Sequence, residues 1–176
     1  GRDLRDGKTR VSIRVFDKLD HIHSLKESLS REFSFLLRIS HKNLARLLDF
    51  GVREDAGELF MVEEFIDGEN IYDATATMPQ VELLGLLLEL SKVLHFLHIQ
   101  GIVHGMLKPS RLILTSTEEG KKQVKLLNFG VAPWLWDHRQ CMDDGMLIYA
   151  APELLLGGRA DARADFYSLG ILIYYL

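Results

Sequence analysis

Apolar and polar residues alternate along Val11-Ser12-Ile13-Arg14-Val15-Phe16, and the β-branched side chains there predict a strand. Asp6-Gly7 suits a tight hairpin turn and implies another strand near residues 1–5. Between Ile22 and Ile39 the pattern changes. Ile22, Leu25, Leu29, Phe33 and Leu36 recur at intervals of three and four, the spacing of an amphipathic helix. Two further strands are predicted around 44–50 and 59–65, separated by a charged turn containing Gly57. Beyond Asp67-Gly68 the pattern becomes mostly helical, which places a boundary there and divides the chain into residues 1–67 and 68–176. Met78-Pro79 opens a helix that runs to about Gln100, with proline at the first turn and Gly101 as its stop. Short strands fit 112–114 and 124–127, joined by a polar turn from Thr115 to Gln123. Residues 131–149 have no period and read as a loop. A last helix starts near Ala162 and continues to the end of the sequence.

Composition narrows the class without naming a function. Apolar residues make up 47% and charged residues 26% of 176, the balance of a soluble globular protein. A net charge of −4 gives no reason to expect nucleic acid or an anionic membrane surface as partner. The tracts 83–99 and 169–176 are apolar but interrupted or short, so they predict buried helices rather than membrane spans. The polar opening at Gly1 carries no secretory signal, and the lone Cys141 cannot form an internal disulfide. Both features predict a reduced, cytoplasmic setting.

The motifs appear in an order that resembles the protein kinase fold, in its bacterial-type or eukaryotic-like Ser/Thr form. Val11-Ser12-Ile13-Arg14 looks like the family's Val-Ala-Ile-Lys strand, and Glu32 falls in the first helix where its partner Glu would be. Val62-Glu63-Glu64-Phe65 resembles the strand leading to the interlobe hinge. His104-Gly105-Met106-Leu107-Lys108 resembles the catalytic loop, and Leu127-Asn128-Phe129-Gly130 the Asp-Phe-Gly motif. Ala151-Pro152-Glu153 matches the end of the activation segment, and Asp165-Phe166-Tyr167-Ser168-Leu169-Gly170 the start of the large lower-lobe helix. The resemblance implies an α+β, two-lobe kinase-like fold truncated at both ends. The family's Gly-rich loop would lie before Gly1, and its last helices beyond Leu176. It also implies that Leu172 to Leu176 leave apolar surface uncovered.

The chemistry implied by the resemblance is altered at each part. Met106 stands where the catalytic Asp would be, and a thioether cannot take a proton; losing a positioned base costs about 10²–10⁴ in rate. Asn128 replaces the metal-binding carboxylate, and Arg111 replaces the metal-binding Asn of the catalytic loop. Arg14 stands for the phosphate-clamping Lys, a change that keeps charge and loses shape. Glu63 falls where the family carries an apolar residue behind the adenine pocket, and a buried carboxylate there requires a partner. Ser12 replaces a small apolar residue that packs on adenine. Arg14, Glu32 and Glu63 are therefore expected to form a self-neutralising cluster, beside Ile66 in the nucleotide cleft. Lys108 is the one catalytic-loop residue that matches the active family.

Leu36, Leu47, His104 and Phe129 match the family's stacked regulatory column, with Asp165 as its anchor and Glu153 as a further structural position. Ordinary core packing explains the same residues. Between Gly130 and Ala151 there is no Ser or Thr to phosphorylate. Tyr149 matches a structural Tyr, and Met146 replaces a Thr that contacts the catalytic loop. Trp134, Leu135 and Trp136 form an apolar cluster that either packs on the domain or marks a partner surface. His95 and His98, three apart on a helix, lack further metal ligands and read as helix-face packing.

The resemblance implies a pseudokinase: a regulatory or scaffolding module of a larger protein, with no metal site and no intact catalytic set. Its partners would be proteins or other domains of the same chain, with no nucleic acid and no membrane insertion. ATP is the candidate ligand, with weak or no magnesium dependence. The alternatives are a divergent ATP-binding Ser/Thr kinase or other transferase of weak activity, and a nucleotide sensor without turnover.

Overall fold

The computed structural model describes residues 9–16, 33–53, 55–105, 107–129 and 147–176. The expected Asp6-Gly7 turn, the Ile22–Leu29 part of the first helix, Glu32, Met106, Gly130, Trp134, Leu135, Trp136, Cys141 and Met146 lie outside the described residues. The α+β architecture is present. The chain divides into two compact units, residues 1–41 with 45–65, and 42–44 with 66–176.

The first unit is built on an antiparallel sheet of β1 (Val11–Phe16), β2 (Leu47–Arg53) and β3 (Glu58–Glu64), in the order β1-β3-β2. The pleat of the strands alternates the faces. On β3, Leu59, Met61 and Glu63 are buried while Phe60, Val62 and Glu64 are only half-buried. Residues 33–36 form a helical turn, and Phe33 stacks on Phe50 with ring centroids 4.7 Å apart. Phe33, Leu36 and Leu47 complete a buried apolar set with Leu59 and Met61. Gly51 lies opposite Phe60, whose ring would collide with any Cβ at that position. The second strand starts and ends three residues later than its pattern suggested, at 47–53 instead of 44–50. A register shift between Leu47 and Asp49 breaks the period there.

The second unit carries β4 (Glu69–Asn70), β5 (Leu112–Ser116) and β6 (Lys122–Leu126), paired antiparallel in that order. The turn between β5 and β6 is tighter than expected, residues 117–121, because Thr115 and Ser116 still pair with Gln123 and Lys122. Residues 42–44 dock on β6: Leu126 donates its amide to the Asn43 carbonyl at 2.8 Å, and Asn43 Nδ2 donates to the Val124 carbonyl at 2.8 Å. The helices are α1 (Ile71–Thr75), α2 (Gln80–Ile99), α3 (Pro152–Leu155) and α4 (Ala162–Tyr175).

Helix α2 starts after Pro79, which sits at the N-cap one residue outside the predicted first turn. It ends at Gly101, whose φ of +74° suits a residue without Cβ. It buries Leu86, Leu90, Val93, Leu94 and Leu97; five buried aliphatics contribute on the order of 10 kcal/mol before entropic costs. The expectation that 83–99 and 169–176 are wholly buried is corrected. Leu84, Leu88 and Ile99 on α2, and Ile173, Tyr174 and Tyr175 on α4, are exposed, because each helix buries one stripe only. Leu172 is fully buried and so is not part of the uncovered apolar surface, which on α4 also includes Phe166 and Tyr167. Helices α1 and α3 and strand β4 were not expected. Among the described residues, no helix is long and apolar enough to cross a membrane.

Candidate functional site

The site is organised by a carboxylate inside the second unit. Asp161 caps α4 by accepting the Arg163 amide at 2.8 Å, which starts the helix and places Asp165 one turn in, fully buried. Asp165 Oδ2 accepts the His104 amide at 2.9 Å, and Oδ1 accepts the Gly105 amide at 2.6 Å. Oδ2 also accepts from His98 Nε2, at 2.7 Å, on the last turn of α2. A buried carboxylate is costly unless its oxygens are satisfied, and three donors satisfy this one. The two amides belong to consecutive loop residues, so the carboxylate fixes the path of the loop. Gly105, with φ +66°, supplies the turn.

The loop is fastened elsewhere too. His104 Nε2–H donates to the Leu127 carbonyl at 3.0 Å, which ties it to the segment after β6. Burial holds the His104 imidazole below its ordinary value; the Asp165 carboxylate and the Leu127 carbonyl oppose that shift, and Arg111 and His98 add to it. Arg111 closes a 3₁₀ turn by donating its amide to the Lys108 carbonyl at 2.9 Å, and its carbonyl accepts the Leu127 amide at 2.9 Å. Asn70, the N-cap of α1, donates from Nδ2 to the Pro109 carbonyl at 3.3 Å.

This frame brings Arg111 and Asn128 together. A guanidinium nitrogen of Arg111 (Nη1) donates to Asn128 Oδ1, and both side chains are buried. Asn128 has φ +58°, the left-handed region that Asn tolerates better than most residues. Lys108 is buried in the same loop, 9% exposed against 6% for Arg111. A hard divalent cation asks for several oxygen ligands, anionic ones by preference. Here the candidate oxygen, Asn128 Oδ1, already accepts from a cation that has no lone pair to offer. The residues present do not fit magnesium. Among the described residues, no group of three His, Cys, Asp or Glu side chains could hold a metal.

The first unit holds the other expected positions. Ser12 pairs with Glu63 and Arg14 with Met61 across the β1–β3 ladder. Arg14 and Glu63 are thus diagonal neighbours on one face, a spacing that long side chains span. Glu63 is 4% exposed, so its carboxylate is turned inward; Arg14 is half-buried and Ser12 exposed. Ile66, half-buried, belongs to the second unit. Leu36 and Leu47 are buried in the first unit, His104, Phe129 and Asp165 in the second, and Glu153 is half-buried in the first turn of α3.

Three contacts were missed in the sequence. His98 does more than pack on a helix face, since it bonds the Asp165 carboxylate; His95 is exposed. Tyr72 and Tyr149 are joined hydroxyl to hydroxyl. Ser168 Oγ donates to the Tyr149 carbonyl at 2.6 Å, which ties residues 147–151 to α4. A helix N-cap, Asn70 ahead of Ile71-Tyr72-Asp73, was the available signal for α1 and hence for Tyr72.

Comparison with known proteins agrees with this arrangement. Residues 4–176 match the family described as protein kinase domain. The chain is 32% identical over 174 residues to the serine/threonine-protein kinase pkn2 of Myxococcus xanthus, covering 94% of this chain and 21% of that protein. It is 34% identical over 167 residues to PknJ of Mycobacterium tuberculosis, covering 86% of this chain and 28% of that kinase. Human ULK3 is 30% identical over 175 residues, with 97% and 36% covered. The chain thus spans between about a fifth and about a third of these relatives' lengths. The kinase domain of Mycobacterium tuberculosis PknI shares the fold at a TM-score of 0.67 and 24% identity, over 90% of this chain and 60% of that one. This chain belongs to the protein kinase domain family.

Proposed function

We propose that this chain is a catalytically impaired kinase-fold module that serves a larger protein as a regulatory or scaffolding element. The observation that carries the reading is the bond between Arg111 and Asn128. The two positions that resemble the family's metal ligands satisfy each other, and one of them is a cation. Met106 at the position of the general base supports the same reading from sequence. The Asp165 clamp, which holds the loop in place, is consistent with a fold kept for its shape. Within this proposal Arg14, Glu32 and Glu63 form a neutralised cluster, and the partner is a protein or another domain in the cytoplasm.

A second reading, a weak ATP-dependent Ser/Thr kinase, draws support from Lys108, which is retained and held in the fixed loop. A radiolabelled transfer assay with the full-length protein, ATP and magnesium separates the two. The proposal expects no incorporation above background. Incorporation that Lys108→Ala abolishes would overturn it in favour of the second reading.

A further inference from the structure

A furrow in the second unit shares no residue with the loop that Asp165 fixes. It runs between the first half of α2 and the turn from β5 to β6, and has a volume of about 530 Å³. Its walls are Glu82, Gly85, Leu86 and Glu89 on the helix, and Lys121 and Lys122 on the turn. We propose that it takes an extended segment of a partner protein. The segment places a basic side chain on Glu82, an acidic one on Lys122, and an apolar one between them over Gly85 and Leu86.

The chain itself shows what one end of these walls accepts. Residues 42–44 lie along β6, with Leu44 bridged in parallel to Leu126. Lys42 Nζ donates to Glu89 Oε1 at 3.2 Å. Asn43 Nδ2 donates to Glu89 Oε2 at 3.0 Å and to the Val124 carbonyl at 2.8 Å. A strip of backbone carrying a basic residue is thus held between a helix carboxylate and a strand edge. Glu82 lies on the same face of α2, two turns before Glu89 and about 10 Å from it along the axis. Leu126 turns its amide outward to Asn43, and strand alternation turns the Lys122 amide to the same side. Past Lys42, therefore, the same two kinds of wall continue.

Charge and shape both favour a strand of mixed sign there. Glu82 and Lys122 are exposed, line one cavity, and make no ion pair with each other or with another described residue. Opposite charges on facing walls are answered by a segment that carries both signs. Glycine is a poor helix residue, yet a Cβ at Gly85 would meet nothing within 4 Å among the described residues. Its missing side chain opens the helix backbone to close approach. Val81 and Leu88, each one turn from Gly85, are exposed and form an apolar strip beside the furrow.

Selection of random octapeptides displayed on phage against the full-length protein tests this, with each enriched peptide then titrated into wild type and Gly85→Trp. The open space at Gly85 lets the larger side chain fill the furrow without displacing the core. Expected are peptides with Lys or Arg on one side of an apolar residue and Asp or Glu on the other. They should lose about tenfold or more in affinity on Gly85→Trp. Glu82→Lys should weaken them about two- to fivefold, the range of an exposed ion pair, and a fresh selection on it should exchange the basic residue for an acidic one. Lys122→Glu should do the converse. These exchanges decide the matter even if Gly85→Trp does not fold. No peptide that depends on Gly85, peptides that are apolar throughout, or a preference that Glu82→Lys leaves unchanged would overturn the inference. A dimer in sedimentation velocity that Gly85→Trp abolishes would assign the furrow to a second copy and overturn it too. Phosphoryl transfer would defeat the impaired-module reading and leave these outcomes untouched, so the two failures are distinguishable.

Discussion

His98 donates Nε2–H to Asp165 Oδ2 at 2.7 Å, across 67 residues of sequence, and the same oxygen accepts the His104 amide. One carboxylate thereby joins helix α2, helix α4 and the loop between α2 and β5. Asp165→Ala removes the acceptor of two buried amides and leaves them unsatisfied. At about 1–3 kcal/mol for each orphaned group, a loss of roughly 3 kcal/mol is expected from urea unfolding. Asp165→Asn, which keeps one carbonyl oxygen, should lose less.

The buried His104 imidazole predicts a stability that falls in acid. Its folded value lies below the unfolded value of 6.5, burial being the largest cause, and the groups facing it are Asp165, Arg111 and His98. Above about pH 6.5 neither state gains a proton there and the contribution is complete. As pH drops through 6.5 the unfolded chain binds a proton that folded His104 resists, and stability declines by up to about 1.4 kcal/mol per pH unit. Urea midpoints at pH 7.5 and 5.5 measure this. His104→Gln, which retains a donor for the Leu127 carbonyl, should flatten the dependence.

Tyr72→Phe tests the link between α1 and residues 147–149. Burial, followed by the Tyr72 hydroxyl, raises the Tyr149 phenol well above its usual value of 10. Losing the Tyr72 hydroxyl should cost about 0.5–1.5 kcal/mol. It should also move the Tyr149 titration downward, while burial keeps it above 10. Urea unfolding reads the stability change, and absorbance of the phenolate between pH 9 and 12, compared with wild type, reads the shift in titration.

The diagonal placement of Arg14 and Glu63 on one sheet face predicts a coupled pair. A double-mutant cycle with Arg14→Met and Glu63→Gln should give a coupling of about 1–3 kcal/mol in unfolding free energy. Additive effects would break the expected charge cluster.

What the sequence revealed follows from range. Helix α2 announced itself through Pro79, Gly101 and an apolar pattern whose buried stripe runs from Leu86 to Leu97. Helix α4 did so through its apolar positions, and the structure adds Asp161 as its cap. Strand β4 has two residues and α1 has five, too few for a period to show, so only the Asn70 cap could betray them. The Arg111 and Asn128 positions were identified by resemblance of motifs, and their contact needed the fold, since 17 residues and a hairpin separate them. His98 was set aside because its acceptor lies on another helix, where no local pattern could point to it. Glu63 was expected to be buried by the resemblance alone, and the β3 ladder turns it inward.

The claim most exposed to measurement is that a guanidinium stands where a divalent cation would. Mn²⁺ titrated into the protein with ATP present, followed by electron paramagnetic resonance, reports a protein-held metal directly. The account predicts only the signal of Mn²⁺–ATP free in solution, and a protein-bound signal only when Arg111→Asn and Asn128→Asp are combined. A tight Mn²⁺ site in the wild-type protein, lost in Asn128→Ala, would contradict it.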